Sequence, residues 1–288
     1  MVEICCVGHI TLDKIVTSKS EVHMPGGTSF YFSNAIANMD ISYCLVTALG
    51  PEENAIVENL RAKGITVQVL PSAHTVYFEN IYDENQDKRT QKVLQKADAF
   101  SIKEMLDVDA KIFHLGPLLA DDIPVELIKY LSEKGTVSLD AQGYLREVRD
   151  TEVFATDWAH KKEALQYIDI LKVNDAELFA ITGCKDLRDG ARALVAMGVK
   201  EVIVTLGSKG SFIYAEEEFY EVPAYKPNAT IDATGCGDTY MAGYLYKKAK
   251  NAGYIEAGKF GAAMATLKIE SSGPFTGTYA EVIKITGE

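Results

Sequence analysis

Asp238 ends the run Ile231-Asp232-Ala233-Thr234-Gly235-Cys236-Gly237-Asp238 and precedes Thr239-Tyr240-Met241-Ala242-Gly243. Two glycines flank one small residue, and an apolar helix is expected from Thr239 to Lys248. Successive backbone N–H groups at a helix N-terminus form a ready site for an anion, favoured also by the helix dipole. Gly235, Cys236, Gly237 and the Asp238 amide are therefore a candidate anion hole. The Asp238 carboxylate would lie beside the held anion, close enough to take a proton from an attacking hydroxyl, as phosphoryl transfer requires. A first-turn carboxylate after a tight glycine loop also has a purely structural reading. A dinucleotide fingerprint is excluded: Tyr240 stands where the next glycine is required, and the segment lies far from the first βαβ unit.

Such a helix needs a strand layer to position it. Glu3 to Gly8 and Ser42 to Gly50 are β-rich apolar runs ending in glycine, with a helix expected over Ser29 to Met39 between them. The alternation continues with a helix over Asn54 to Lys63, strand Lys111 to Leu115, helix Val125 to Lys134, strand Thr136 to Asp140 and helix His160 to Tyr167. Strand Asp169 to Val173, helices Asp175 to Ile181 and Asp189 to Met197, and strand Glu201 to Leu206 follow. Alternation of this kind implies a mostly parallel sheet with helices on both faces and ligands at the strands' carboxyl ends. Asp13 follows the first strand, Asn174 and Glu177 open a helix after another, and Thr205, Gly207 and Gly210 close a third. Singly these have ordinary readings: a loop-capping Asp, a helix-capping Asn with a surface Glu, and a hairpin into Ser211-Phe212-Ile213-Tyr214. Their joint order at successive strand ends argues for one site.

One stretch breaks the rhythm. Thr75 to Tyr82 and Lys88 to Gln95 read as strands around the polar turn Asp83-Glu84-Asn85-Gln86-Asp87, and Lys14 to Met24 alternates similarly. The expectation is an α/β core of residues 1–13, 25–65 and 99–288 with a discontinuous β-rich lid of residues 14–24 and 66–98. A solvated, decorative hairpin is the alternative.

The segment Asp232-Ala233-Thr234-Gly235-Cys236-Gly237-Asp238 closely resembles the D-T-x-G-A-G-D signature of the ribokinase, or PfkB, carbohydrate kinase family, and the resemblance extends over nearly the whole chain. Gly8 through Asp13 resembles the family's G-x-x-x-x-D, whose aspartate holds substrate hydroxyls, and Gly26-Gly27 its substrate-side diglycine. Lys172-Val173-Asn174-Asp175-Ala176-Glu177 resembles the N-x-x-E motif that organises magnesium and its waters, and Val204-Thr205-Leu206-Gly207-Ser208-Lys209-Gly210 the nucleotide-side T-x-G-x-x-G turn. The resemblance implies a ribokinase-like α/β fold, a mostly parallel sheet flanked by helices with a small β-rich lid over the sugar site. It implies Asp238 as base, with Asp13, Gly26, Gly27, Tyr31 and Asp140 on the substrate. Asn174, Thr205, Gly207 and Gly210 would serve ATP, and Glu177 would serve Mg2+ through water. A homodimer packed through the lids also accords with it.

Departures from the pattern narrow the substrate. Gly26-Gly27-Thr28-Ser29-Phe30-Tyr31 places a phenol where ribokinase-type members carry asparagine, and no basic residue follows the diglycine. A neutral polyol, cyclitol or nucleoside is favoured over a phosphorylated sugar. Leu139-Asp140-Ala141-Gln142-Gly143-Tyr144-Leu145-Arg146 resembles the D-P-N-x-R region in the glutamine-bearing form of inositol-kinase-like members, with Arg146 either in a structural ion pair or on substrate or phosphate. Cys236 stands where the family commonly has alanine, and a helix N-terminus is expected to acidify its thiol. The rival readings are a pyridoxal-type vitamin kinase, disfavoured by Asp13 and Gly26-Gly27, and a catalytically silent sugar or nucleotide sensor, disfavoured by Asp238.

Composition agrees with an ordered enzyme. The 288 residues are 47% hydrophobic, enough for one large core with an appendage. A formal net charge of -12 repels nucleic-acid backbones and anionic lipid, so neither is an expected partner. The start lacks a basic n-region, and Glu3 and Asp13 interrupt its apolar run, so a cytoplasmic location is expected. Five cysteines without C-x-x-C spacing favour neither a disulfide framework nor a zinc site.

Overall fold

The computed structural model describes residues 1–17, 20–82 and 89–287. The chain opens with β1 (Val2–Val7), whose last four residues are buried, as suits a strand covered on both faces. It then leaves that layer. β2 (Thr11–Val16) and β3 (Glu21–Gly26) pair antiparallel with Thr11 opposite Gly26, and lead into α1 (Thr28–Ile36). Gly27 makes the turn with φ 89°, and a Cβ there would stand 2.6 Å from the His9 carbonyl oxygen. β4 (Tyr43–Leu49) returns to lie parallel to β1, with Cys44 beside Cys5.

After α2 (Asn54–Ala62) comes β5 (Thr66–Pro71), and here the structure departs from the sequence reading. β5 pairs parallel with β4 at the edge of the main sheet and takes no part in the small one. Its Val67 and Leu70 are buried while Thr66 and Gln68 are exposed. A half-exposed edge strand has the same period-two pattern as a lid strand, so alternation alone could not separate them. β6 (Val76–Tyr82) and β7 (Arg89–Gln95) do pair as an antiparallel hairpin. The expected turn at Asp83-Glu84-Asn85-Gln86-Asp87 lies outside the described residues.

β8 (Ala110–Leu115), α3 (Val125–Ser132) and β9 (Thr136–Asp140) continue the main layer. A further hairpin, β10 (Arg146–Arg149) and β11 (Glu152–Ala155), joins the small sheet through Glu152 opposite Lys92 on β7. The chain then runs through α4 (Lys161–Ala164), β12 (Ile170–Asn174), α5 (Asp175–Thr182), α6 (Leu187–Ala196) and β13 (Glu201–Thr205). β14 (Ser211–Ala215), β15 (Glu218–Val222), α7 (Cys236–Ala249), α8 (Tyr254–Ile269) and α9 (Tyr279–Thr286) complete it.

The main sheet has the order β15-β14-β13-β12-β9-β8-β1-β4-β5, parallel from β13 to β5 and antiparallel at β13-β14-β15. The small sheet has the order β10-β11-β7-β6-β2-β3. Successive residues of β12 point into different cores: Ile170 joins the cluster with α1, α7 and α8, whereas Leu171 and Val173 join the cluster with α3, α5 and α6. α7 and α8 lie backbone to backbone, for a Cβ on Gly243 would come within 3.0 Å of the Gly261 Cα. Among the described residues no helix is long and apolar enough to cross a membrane.

Candidate active site

α7 begins at Cys236 with Gly235 as its N-cap, three residues earlier than the sequence reading placed it. Gly235 has φ 76°, and a Cβ there would stand 2.2 Å from the Tyr31 ring, so the glycine meets both a backbone and a packing demand. The Cys236 N–H is occupied by the Ala233 carbonyl at 3.2 Å, and the Thr239 N–H closes the first helical bond to Gly235 at 2.9 Å. The N–H groups of Gly237 and Asp238 fall in the first turn, where no intrahelical carbonyl can reach them. The loop ahead of the helix is pinned from α8. Lys268, fully buried, donates to the Asp232 carbonyl at 2.9 Å and to the Ser271 carbonyl at 3.3 Å, and its Nζ lies 3.6 Å from the Asp232 carboxylate.

Asp238 faces the Thr28 side chain, Asp140, Lys172 and Arg146. Desolvation and then repulsion from Asp140 push its pKa up to about 7, against the opposing pull of Lys172, Thr28 and Arg146. Such a carboxyl is poised to exchange a proton near neutral pH.

Three of the neighbouring residues take roles that their side-chain bonds define. Asp140 is buried with Oδ2 2.8 Å from Lys172 Nζ and Oδ1 accepting from the Gln142 N–H at 3.1 Å, which makes it the lysine's counter-ion. Desolvation works to raise it, but Lys172 wins and its pKa is lowered. Asn174 and Glu177 form a reciprocal cap on α5: Asn174 Oδ1 accepts from the Glu177 N–H and Glu177 Oε2 from the Asn174 N–H, each at 2.8 Å. Glu177 is buried, and desolvation raises its carboxyl despite Lys172.

On the small-sheet side, Asp13 accepts from Thr11 Oγ1 at 2.7 Å, and a Cβ on Gly26 would come within 2.3 Å of its Oδ2. Gly26 is thus the space in which the Asp13 carboxylate sits. Tyr31 bridges the two halves: desolvation raises its phenol, and Asp232, Asp13 and Asp238 add repulsion. Thr205 lies opposite Asn174 in the β12–β13 pair, and its hydroxyl is 3.4 Å from the Val173 carbonyl. Gly207 and Gly210 form the β13–β14 turn with φ 59° and 91°. A Cβ on Gly210 would meet the Val222 carbonyl at 2.3 Å, so that glycine answers to packing. A pocket of about 350 Å³ opens between the small sheet and α5, lined by Gln91, Gln142, Arg146, Phe154 and Glu177 among others.

The structure corrects one expectation outright. The Cys236 thiol is pushed up to about 11, by desolvation first and by Asp232 and Asp238, with Lys268 opposing. Its Sγ donates to the Ala265 carbonyl at 3.7 Å, so it faces a carbonyl of α8 and gains little from the amides of its own helix. Two cations escaped the sequence reading, Lys172 and Lys268. The signal for Lys172 was a lysine inside the otherwise apolar strand Ile170-Leu171-Lys172-Val173; Lys268 lies on a helix remote in sequence and left no comparable mark.

The chain is 29% identical over 256 residues to a cytidine kinase of Thermococcus kodakarensis, covering 85% of this chain and 88% of that one. A solved structure described as a pyrophosphate-dependent kinase in the ribokinase family, complexed with a pyrophosphate analog and myo-inositol, superposes with a TM-score of 0.86 at 28% identity, covering 95% of this chain and 97% of that one. Arabidopsis thaliana ribokinase complexed with ribose and ATP shares the fold, with a TM-score of 0.82 at 22% identity over 100% of this chain and 99% of its own. Residues 1–279 match the family described as pfkB family carbohydrate kinase. With this signature at the head of α7 and the match running across both sheets, the chain belongs to the PfkB family of carbohydrate kinases.

Proposed function

We propose that the protein transfers the terminal phosphoryl group of ATP to a hydroxyl of a small neutral polyol, cyclitol or nucleoside, with Asp238 as the base. The observation that carries this reading is the place of the Asp238 carboxyl in the first turn of α7, beside the Gly237 and Asp238 amides, where burial raises it toward neutrality. In this reading Asp13 and the space at Gly26 and Gly27 hold the acceptor's hydroxyls, and Tyr31 closes the site between acceptor and anion hole. Asp238 accepts the hydroxyl proton as the oxygen attacks, and the first-turn amides take up charge on the transferred group. Thr205 and the Gly207 and Gly210 turn face the nucleotide, with Asn174 setting the cap of α5 beside them.

Among the described residues no cluster of three or more His, Cys, Asp or Glu side chains could hold a metal. Mg2+ takes most of its oxygens from phosphates and water, and the desolvated Glu177 would gain from a nearby cation. When bound, Mg2+ would neutralise phosphate charge. The exposed Val22, Leu94 and Phe154 of the small sheet are the surface on which a homodimer would form, and the cytoplasm is the working location assigned with ATP as donor.

The experiment is a turnover panel of ribose, myo-inositol and cytidine, each with ATP and with pyrophosphate, for the wild type and Asp238→Asn. Turnover with ATP on at least one acceptor is expected, and kcat in the variant should fall by about 10² to 10⁴ with donor affinity retained. Near-wild-type kcat in folded Asp238→Asn would reject the base. Ligand binding without turnover on any pair would favour the sensor, and turnover with pyrophosphate alone would replace ATP as donor.

A further inference from the structure

Lys172 is the group that the family signature leaves without a task. It lies in the middle of β12, between β9 and β13, opposite Asp140 in the β9–β12 register, and its side chain is only 8% exposed. It shares the strand face of Ile170, which packs with α1, α7 and α8, so it points toward the helix that carries Asp238. A Cβ placed on Gly237 would stand 3.2 Å from Lys172 Nζ and 3.6 Å from Cε. With no side chain at Gly237, the ammonium rests against the same backbone that supplies the first-turn N–H groups.

Burying a lysine between strands costs desolvation that one counter-ion offsets only in part. Asp140 takes one of its three N–H donors at 2.8 Å. Around it the site holds Asp140, Glu177 and Asp238, three carboxylates against Lys172 and Arg146. An incoming phosphoryl group would add negative charge to a site already short of cations. The amides offer partial charges only; Lys172 offers a full one at the same place.

We propose that Lys172 is a catalytic residue whose ammonium contacts an oxygen of the phosphoryl group in transit beside Gly237, with Asp140 as the positioning residue that holds it there. The inference rests on the kinase reading above. In the step, the acceptor oxygen forms the new bond to phosphorus while its proton passes to Asp238. The bond from phosphorus to the donor's bridging oxygen breaks, and its electron pair leaves with the donor. Lys172 keeps its proton throughout and balances the charge on the group between them.

The test uses Lys172→Met, Lys172→Arg, and Lys172→Met combined with Asp140→Asn, which removes the carboxylate that the single variant leaves buried and unpaired. Two readouts are taken on each: steady-state kinetics, and titration with inorganic phosphate alone. Lys172→Met should lower kcat by about 10² to 10³, as loss of one anion-stabilising donor does, with acceptor KM within about threefold. Lys172→Arg should recover to within about tenfold, and Lys172→Met should bind phosphate at least tenfold more weakly than the wild type. If Lys172→Met is unstable, the double variant carries the same readouts in its place. A double variant that regains wild-type kcat would make the ion pair structural and overturn the proposal. So would unchanged phosphate affinity in Lys172→Met or in the double variant, or a wild type that binds no phosphate. Loss of phosphate binding in the variants of a protein that phosphorylates no acceptor would uphold the lysine's anion contact while refuting the kinase reading.

Discussion

Desolvation and then Asp140 bring the Asp238 carboxyl to about 7 from an ordinary 3.8, so it changes protonation near neutral pH. Only the carboxylate can accept a proton, so kcat/KM should climb about tenfold per pH unit below 7 and level off above it. Stability has the opposite slope. The folded state holds a proton that the unfolded chain releases above 3.8, so the protein loses stability as pH rises from about 4 through 7. Asp238→Asn should abolish this loss. Melting scans and a pH–rate profile on one preparation check both signs; a wild-type profile with no limb above pH 5.5 would remove Asp238 as the titrating base. Near it, Cys236 shows that position on a helix does not fix thiol chemistry. The thiol sits at the N-terminus, yet burial first, and Asp232 and Asp238 after it, push its pKa up.

The head of α7 was legible because everything it needs is local: glycines for the cap, small residues for the first turn, an apolar run for the helix. What the sequence could not show is what holds that head in place, since Thr28, Lys172 and Lys268 arrive from α1, β12 and α8. The β10–β11 hairpin was missed for another reason. Its strands, Arg146-Glu147-Val148-Arg149 and Glu152-Val153-Phe154-Ala155, are four residues each and mostly charged or exposed, so little apolar periodicity marks them. β5 was seen as a strand but assigned to the wrong sheet, because a strand's pattern reports which face is buried and not which partner buries it. The cap itself yields a test. Gly235→Ala would force a left-handed backbone on a side chain, at about 1–2 kcal/mol, and drive Cβ into the Tyr31 ring. A lower melting temperature and a kcat loss of at least about tenfold are expected. Gly253→Ala is the control, with φ -70° and open space around its Cβ, and should change neither; wild-type behaviour of Gly235→Ala would mean the ring does not seat on the cap.

On the scale of the whole molecule, the small sheet is anchored to the core through Leu118 and Leu119, which pack with Val76, Phe78 and Val93. It also carries both Asp13 and Arg146, so in the proposed reading a ligand held between the sheets would meet it from two sides. Hydrogen exchange in β2, β3, β6 and β7 should therefore slow when a turned-over acceptor is added, while β1 and β8 change little. Unchanged exchange in those four strands would make the small sheet a fixed wall. The same sheet is drawn from three separate stretches of chain, β2–β3, β6–β7 and β10–β11. During synthesis the first pair leaves the ribosome long before the last. At about 5–20 residues per second the interval to β11 is on the order of ten seconds, in which β7 presents an unpaired strand edge. An interrupted chain ending before Arg146 would keep that edge open to strands of other nascent chains, so such a fragment is expected to aggregate more readily than the full-length protein.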